Sequence, residues 1–214
     1  MQRTIHIHPQ PAIKKDNCVR LSARIAGTRR VPRRLWCEFP GWAQPWLTDH
    51  TDPWLVAVLP AAMRSGKNIQ AAGAVSSGLL QNLDRFQSQW TRWYPGRYQR
   101  ISIHAEQVTS APQRGNEGVL AFSGGLDSSY TARRYANGKL ADNQYRITAG
   151  LTVLGFDVPL RARSQFIRMS NRTDCMLKSL GYEAIHVATN IRHQRIRWLE
   201  LHGIALAACL TCLS

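Results

Sequence analysis

Residues Ser123, Gly124, Gly125, Leu126, Asp127, Ser128 and Ser129 are of types suited to holding phosphate. Two adjacent glycines lack side chains and tolerate positive φ, so the backbone can curl and turn its N–H groups toward an anion. Ser123, Ser128 and Ser129 can add hydroxyl donors at the rim of such a loop. Asp127 can hold a magnesium ion that bridges phosphate oxygens, or order the loop by accepting its N–H groups. The chemistry that this set would serve is binding of the pyrophosphate end of ATP.

Position matters as much as composition. An apolar strand is predicted over 118–122 and an amphipathic helix over 127–137, so the loop would lie at the positive end of a helix dipole. No G-x-x-x-x-G-K-[ST] is present, and no G-x-G-x-x-G follows the strand, which excludes a Walker A site and a dinucleotide fingerprint. Further strands are predicted over 147–154 and 184–188, with helices over 160–180 and from 196 to the end. The order βαβαβα implies an α/β unit with a parallel sheet.

Ser123-Gly124-Gly125-Leu126-Asp127-Ser128 resembles S-G-G-x-D-S, the PP-loop signature of the ATP pyrophosphatase superfamily, the adenine nucleotide alpha hydrolases. The resemblance covers residues 117–214 and implies a Rossmann-like, HUP-type nucleotide-binding domain. It implies ATP and Mg2+ as cofactors and cleavage between the α and β phosphates. AMP passes to an acceptor oxygen, and a nitrogen or sulfur nucleophile then displaces it. By this resemblance Asp127 and Ser128 are the catalytic candidates and Asp127 the metal ligand. ATP would be bound by Ser123, Gly124, Gly125, Leu126, Asp127, Ser128 and Ser129, with the adenine near Ala121, Phe122, Leu154, Gly155 and Phe156.

Asp157 would contact ribose or acceptor, or else cap the following helix. Asn190 and Arg192 would face acceptor or phosphates, or else form a polar turn. A tryptophan-rich leader and Leu154-Gly155-Phe156-Asp157 are distantly similar to proteins related to 7-cyano-7-deazaguanine synthase. The four-cysteine zinc site of that family has no counterpart here, which points to a relative with another acceptor, such as another amide- or nitrile-forming ligase. The alternatives are a tRNA-modifying or RNA-binding protein of the same fold, or a nucleotide-binding module without turnover.

The elements before the loop differ in texture. Six of the seven tryptophans precede residue 112, and short strands are predicted over 4–8, 18–25, 35–39 and 98–108. Asp52-Pro53 would cap and open an apolar helix that Pro60 must end or kink. Ser76 or Ser77 would cap a second helix carrying Leu79, Leu80, Leu83, Phe86, Trp90 and Trp93 as one apolar stripe. A turn-rich connection over 109–116 places a boundary near residue 115, between a small α+β domain (1–115) and the nucleotide-binding domain (116–214).

The formal charge of +15 attracts polyanions, with its densest cluster at Arg29, Arg30, Arg33 and Arg34. Five scattered cysteines argue against a disulfide framework and for the cytoplasm. Cys209-x-x-Cys212 lies in an apolar helix and reads as core. No membrane span or signal peptide is expected. The last helix is apolar and uncapped, so the chain is expected to be C-terminally truncated. Its Leu199, Leu201, Ile204 and Leu206 would need cover from the N-terminal region, from missing sequence or from a second copy, which makes a homo-oligomer one expectation.

Overall fold

Ile5 and Ile7 are fully buried while His6 and His8 face solvent, the period-two pattern that makes Ile5–Lys15 the first strand, β1. Similar alternation forms β2 (Cys18–Ala26) and β3 (Arg34–Pro40), where the sequence pattern predicts them. A 3-10 turn (Gly41–Trp46) leads to α1 (Asp52–Ser65), β4 (Ile69–Ser76), α2 (Ser77–Trp93) and β5 (Ile103–Thr109). The predicted βαβαβα order follows as β6 (Glu117–Ala121), α3 (Leu126–Ala136), β7 (Arg146–Leu154), α4 (Arg163–Ser179), β8 (Glu183–Thr189) and α5 (Trp198–Thr211). This computed structural model describes residues 4–110, 115–136 and 146–213. Residues 111–114 of the predicted connection and Asn137 of the predicted helix lie outside the described residues.

All eight strands join one open sheet in the order β5-β4-β1-β2-β3-β8-β7-β6. Pairing is antiparallel along β1-β2-β3-β8 and parallel elsewhere, so the α/β sheet is mixed. The boundary predicted near residue 115 falls in a connection between two strands of this continuous sheet. Strand β4 has no counterpart among the predicted strands. Its Ala-Ala-Gly-Ala centre carries little strand propensity, and pairing with β1 and β5 supplies its order instead.

The seam between the halves is short in backbone pairing, Cys37 opposite Thr189 and Glu38 opposite Ala188, and is lengthened by side chains. Asn190 Oδ1 accepts from the Trp36 amide at 3.0 Å, and its Nδ2 donates to the Arg34 carbonyl at 2.9 Å. Thr189 Oγ1 donates to the Trp36 carbonyl at 2.7 Å.

Ile185 and Val187 pack into a large core with α1 and α5, whereas Ala184 and Ala188 join clusters with residues of α4. Successive strand residues point to opposite faces, so helices cover both sides of β8. Helix α1 is buried from Asp52 to Met63 and does not end at Pro60. The hydrogen bond lost at the proline is outweighed by this complete burial. Asp52 does not cap its own helix: its carboxylate accepts from the Ser76 amide at 2.9 Å and the Ser76 hydroxyl at 2.6 Å, tying α1 to the start of α2. Ser76 holds the N-cap position of α2 without a capping bond from its side chain.

Helix α5 packs against α1 and buries Leu201, Ala205, Ala208 and Cys209, so the N-terminal region supplies much of its cover. Leu199 remains 77% exposed. Among the described residues, no helix is long and apolar enough to cross a membrane.

Candidate functional site

Strand β6 ends at Ala121 and α3 begins at Leu126, so residues 122–125 form the turn from sheet edge to helix. Gly124 sits at φ +75°, a left-handed conformation, and a Cβ there would stand 3.1 Å from Thr173 Cγ2 on α4. Both constraints favour glycine. Ser123 Oγ accepts from the Gly125 amide and lies near Ser128 Oγ, each at 3.3 Å, while Ser128 Oγ donates to the Gly125 carbonyl at 3.0 Å. Three predicted loop residues therefore form one small network that fixes the turn.

The first helical bond runs from the Ser129 amide to the Gly125 carbonyl at 3.0 Å. The amides of Leu126, Asp127 and Ser128 precede it and have no intrahelical acceptor, so the helix opens with donors that, among the described residues, are free, and with the positive end of its dipole. Ser129 Oγ is buried and, among the described residues, has no hydrogen-bond partner. Asp127 is exposed in this first turn and, among the described residues, makes no ion pair.

A cavity of about 490 Å³ opens beside the loop and shares Ala121, Phe122 and Ser123 with it. Leu151, Thr152 and Val153 of β7 line it, as do Phe156 and Asp157 just beyond that strand. The far wall includes Trp198, Leu199 and His202 of α5. The lining is mainly apolar with a few polar groups, the usual make-up of a small-molecule site. Phe156 and Trp198 stand 5.0 Å apart between ring centroids, and the Arg192 guanidinium lies 4.6 Å from the Trp198 ring centre. Arg192 also donates to the Phe156 carbonyl and lies 4.0 Å from the Asp157 carboxylate.

Ala121, Phe122 and Phe156 thus meet at the cavity, next to Ser123–Ser129. Leu154 and Gly155 do not line it. Leu154 is buried in a cluster with Val158 and Phe166. Gly155, at φ +107°, abuts the end of β8, where a Cβ would come within 2.0 Å of the Thr189 carbonyl oxygen. Asp157 is open to solvent and caps no helix, since α4 begins only at Arg163. Asn190 is occupied by the backbone of β3, so of the pair Asn190 and Arg192 only Arg192 reaches the cavity's aromatic wall. Sequence reasoning overlooked Trp198 and His202. The available signal was that Trp198 is the one tryptophan outside the leader.

Cys209 of α5 and Cys212 at its C-cap are buried, as the core reading predicts, and both interact with the buried Cys37 of β3. The Cys37 contact and burial hold the Cys209 thiol well above its ordinary pKa. Burial, then the same neighbour, does so for Cys212. Among the described residues, no group of three or more His, Cys, Asp or Glu could hold a metal ion.

A glycine-turned loop between a parallel strand and a helix, beside an apolar cavity at the carboxyl edge of an open sheet, places the chain among α/β proteins compatible with a Rossmann-like fold. Comparison with protein-family models, curated proteins and solved structures found no match.

Proposed function

We propose that this chain binds ATP with its phosphates over Ser123–Ser129 and its adenine in the adjoining cavity, and adenylates an acceptor oxygen with release of pyrophosphate. The observation that carries the reading is the shared wall: Ala121 at the end of β6 and Phe122 and Ser123 of the turn that follows all line the cavity. The parallel run β6-β7-β8 with α3 and α4 as crossovers supports a HUP-type reading of this half of the sheet.

Free amides at the start of α3, with the Ser128 hydroxyl, would stabilise charge as it grows on the departing pyrophosphate. Phe156 and Trp198 would hold the base, and Asp157, Arg192 and His202 would border the acceptor. Asp127 fits a magnesium ion shared with phosphate oxygens, because Mg2+ commonly takes one or two carboxylates and completes its shell with phosphate and water. When bound, the ion would supply charge neutralisation of the phosphates.

The acceptor is a small molecule or a tRNA. Five free cysteines favour a cytoplasmic setting, and the exposed Leu199 is where self-association through α5 would begin.

Calorimetric titration with Mg-ATP tests the binding half. An Asp127→Ala, Ser128→Ala double variant is expected to bind at least about tenfold more weakly than wild type, a loss of roughly 1.4 kcal/mol. Equal affinity would overturn the assignment of the loop. Product analysis with candidate acceptors tests the catalytic half: AMP and pyrophosphate are expected. ADP as sole product would exclude adenylation, and binding without any product would favour the module without turnover.

A further inference from the structure

Arg24, Arg29, Arg30, Arg33, Lys67 and Arg195 line one open cavity of about 1070 Å³ whose lining includes no carboxylate. They come from distant parts of the chain: the end of β2, its connection to β3, the connection from α1 to β4, and the segment before α5. Among the described residues, none of the six forms an ion pair.

A solvated charge run has no need of a fixed backbone, but this one is pinned on several sides. Val31 is buried in the core between Arg30 and Arg33. The Arg30 carbonyl accepts from the Arg195 amide at 2.7 Å, and the Arg33 carbonyl from the Ile25 amide at 2.8 Å. Lys67 Nζ donates to the Gly27 carbonyl at 2.6 Å. Packing thus holds like charges around one concavity, at an electrostatic cost that a bound polyanion would relieve.

The strand directions locate the cavity. β3 runs against β8 and β2 against β3, so the end of β2 and the start of β3 share the sheet edge occupied by the loop after β6. Four strand spacings, about 19 Å at roughly 4.8 Å each, separate β6 from β2.

We propose that this cavity binds the backbone of a nucleic acid, engaging several successive phosphates. A single phosphate would leave most of six cations unpaired in so large a space. Five of the six are arginines, whose planar fork pairs two-to-two with phosphate oxygens. The inference stands apart from the ATP reading, because none of these residues belongs to the loop or its cavity.

Fluorescence anisotropy with labelled single-stranded RNA and DNA oligonucleotides, measured across a salt series without ATP, tests it. Arg29→Glu, Arg33→Glu, Arg195→Glu, all at exposed positions, is expected to weaken binding at least about tenfold. Its log-affinity against log-salt slope should fall by about 2, at roughly 0.7 per lost contact on a single strand. The same positions changed to Lys should retain most of the affinity. Lys14→Glu, Arg85→Glu, Arg92→Glu makes the same change of charge at exposed residues elsewhere and should retain more affinity than the cavity variant. A preference for either oligonucleotide identifies the source of the phosphates. Equal losses in the two Glu variants would reduce the effect to net charge and overturn the proposal. Binding of inorganic tripolyphosphate at the cavity with no oligonucleotide binding would also overturn it.

Discussion

Trp198 and Phe156 make the most specific demand on a ligand, since a closely spaced ring pair in a mainly apolar cavity suits a flat heterocycle. Loss of one base-stacking aromatic costs about 1–3 kcal/mol. Trp198→Ala is therefore expected to weaken Mg-ATP binding in calorimetry about tenfold or more, and Trp198→Phe to restore much of it. If the alanine variant bound as wild type, the base would have to lie elsewhere. The phosphate loop was legible from sequence because its constraints are local: Gly124 must adopt positive φ within a few residues of the serines that brace it. Trp198 was not, because its partner Phe156 is distant in sequence and only the packing of α5 brings them together.

Among the elements, the β3–β8 junction carries unusual weight, since two backbone pairs and a few side chains unite the halves of the sheet. Asn190→Ala would leave the Trp36 amide and Arg34 carbonyl without their partners, at an expected cost of about 1–3 kcal/mol in denaturant unfolding. An unchanged midpoint and slope would show that solvent replaces both bonds. Period-two and helical patterns revealed most strands and helices. They could not reveal this antiparallel junction, because neither Thr189-Asn190 nor Arg34-Leu35-Trp36 names its partner. Strand β4 escaped notice for a related reason: its small residues acquire strand geometry from β1 and β5 on either side.

For the molecule as a whole, Glu200 is a buried tie between α5 and the N-terminal region, accepting from the Tyr98 hydroxyl at 2.5 Å and from Arg97. Burial alone would raise its pKa, but the Tyr98 hydrogen bond and the charges of Arg97 and Arg197 hold it below the ordinary carboxylate range. The unfolded chain then binds this proton more readily. The contribution is complete above the unfolded value of about 4.3 and disappears as pH falls through the folded value. Burial, then the Glu200 hydrogen bond and charge, pushes the Tyr98 hydroxyl above its ordinary range. Its contribution is complete below about 10 and declines as pH rises through the folded value. Denaturant midpoints should therefore fall at both extremes, and Glu200→Gln should flatten the acid limb relative to wild type. Superimposable acid limbs would remove Glu200 from the account.

Cys37, Cys209 and Cys212 give the interface between α5 and the sheet its own chemical clock. All three thiols are buried, and those of Cys209 and Cys212 are also held protonated, so they resist alkylation while the helix is seated, because attack requires an accessible thiolate. Each departure of α5 exposes them together. Their rate of modification by a maleimide, beside that of the exposed Cys175, counts how often the helix forming the far wall of the candidate nucleotide cavity lifts.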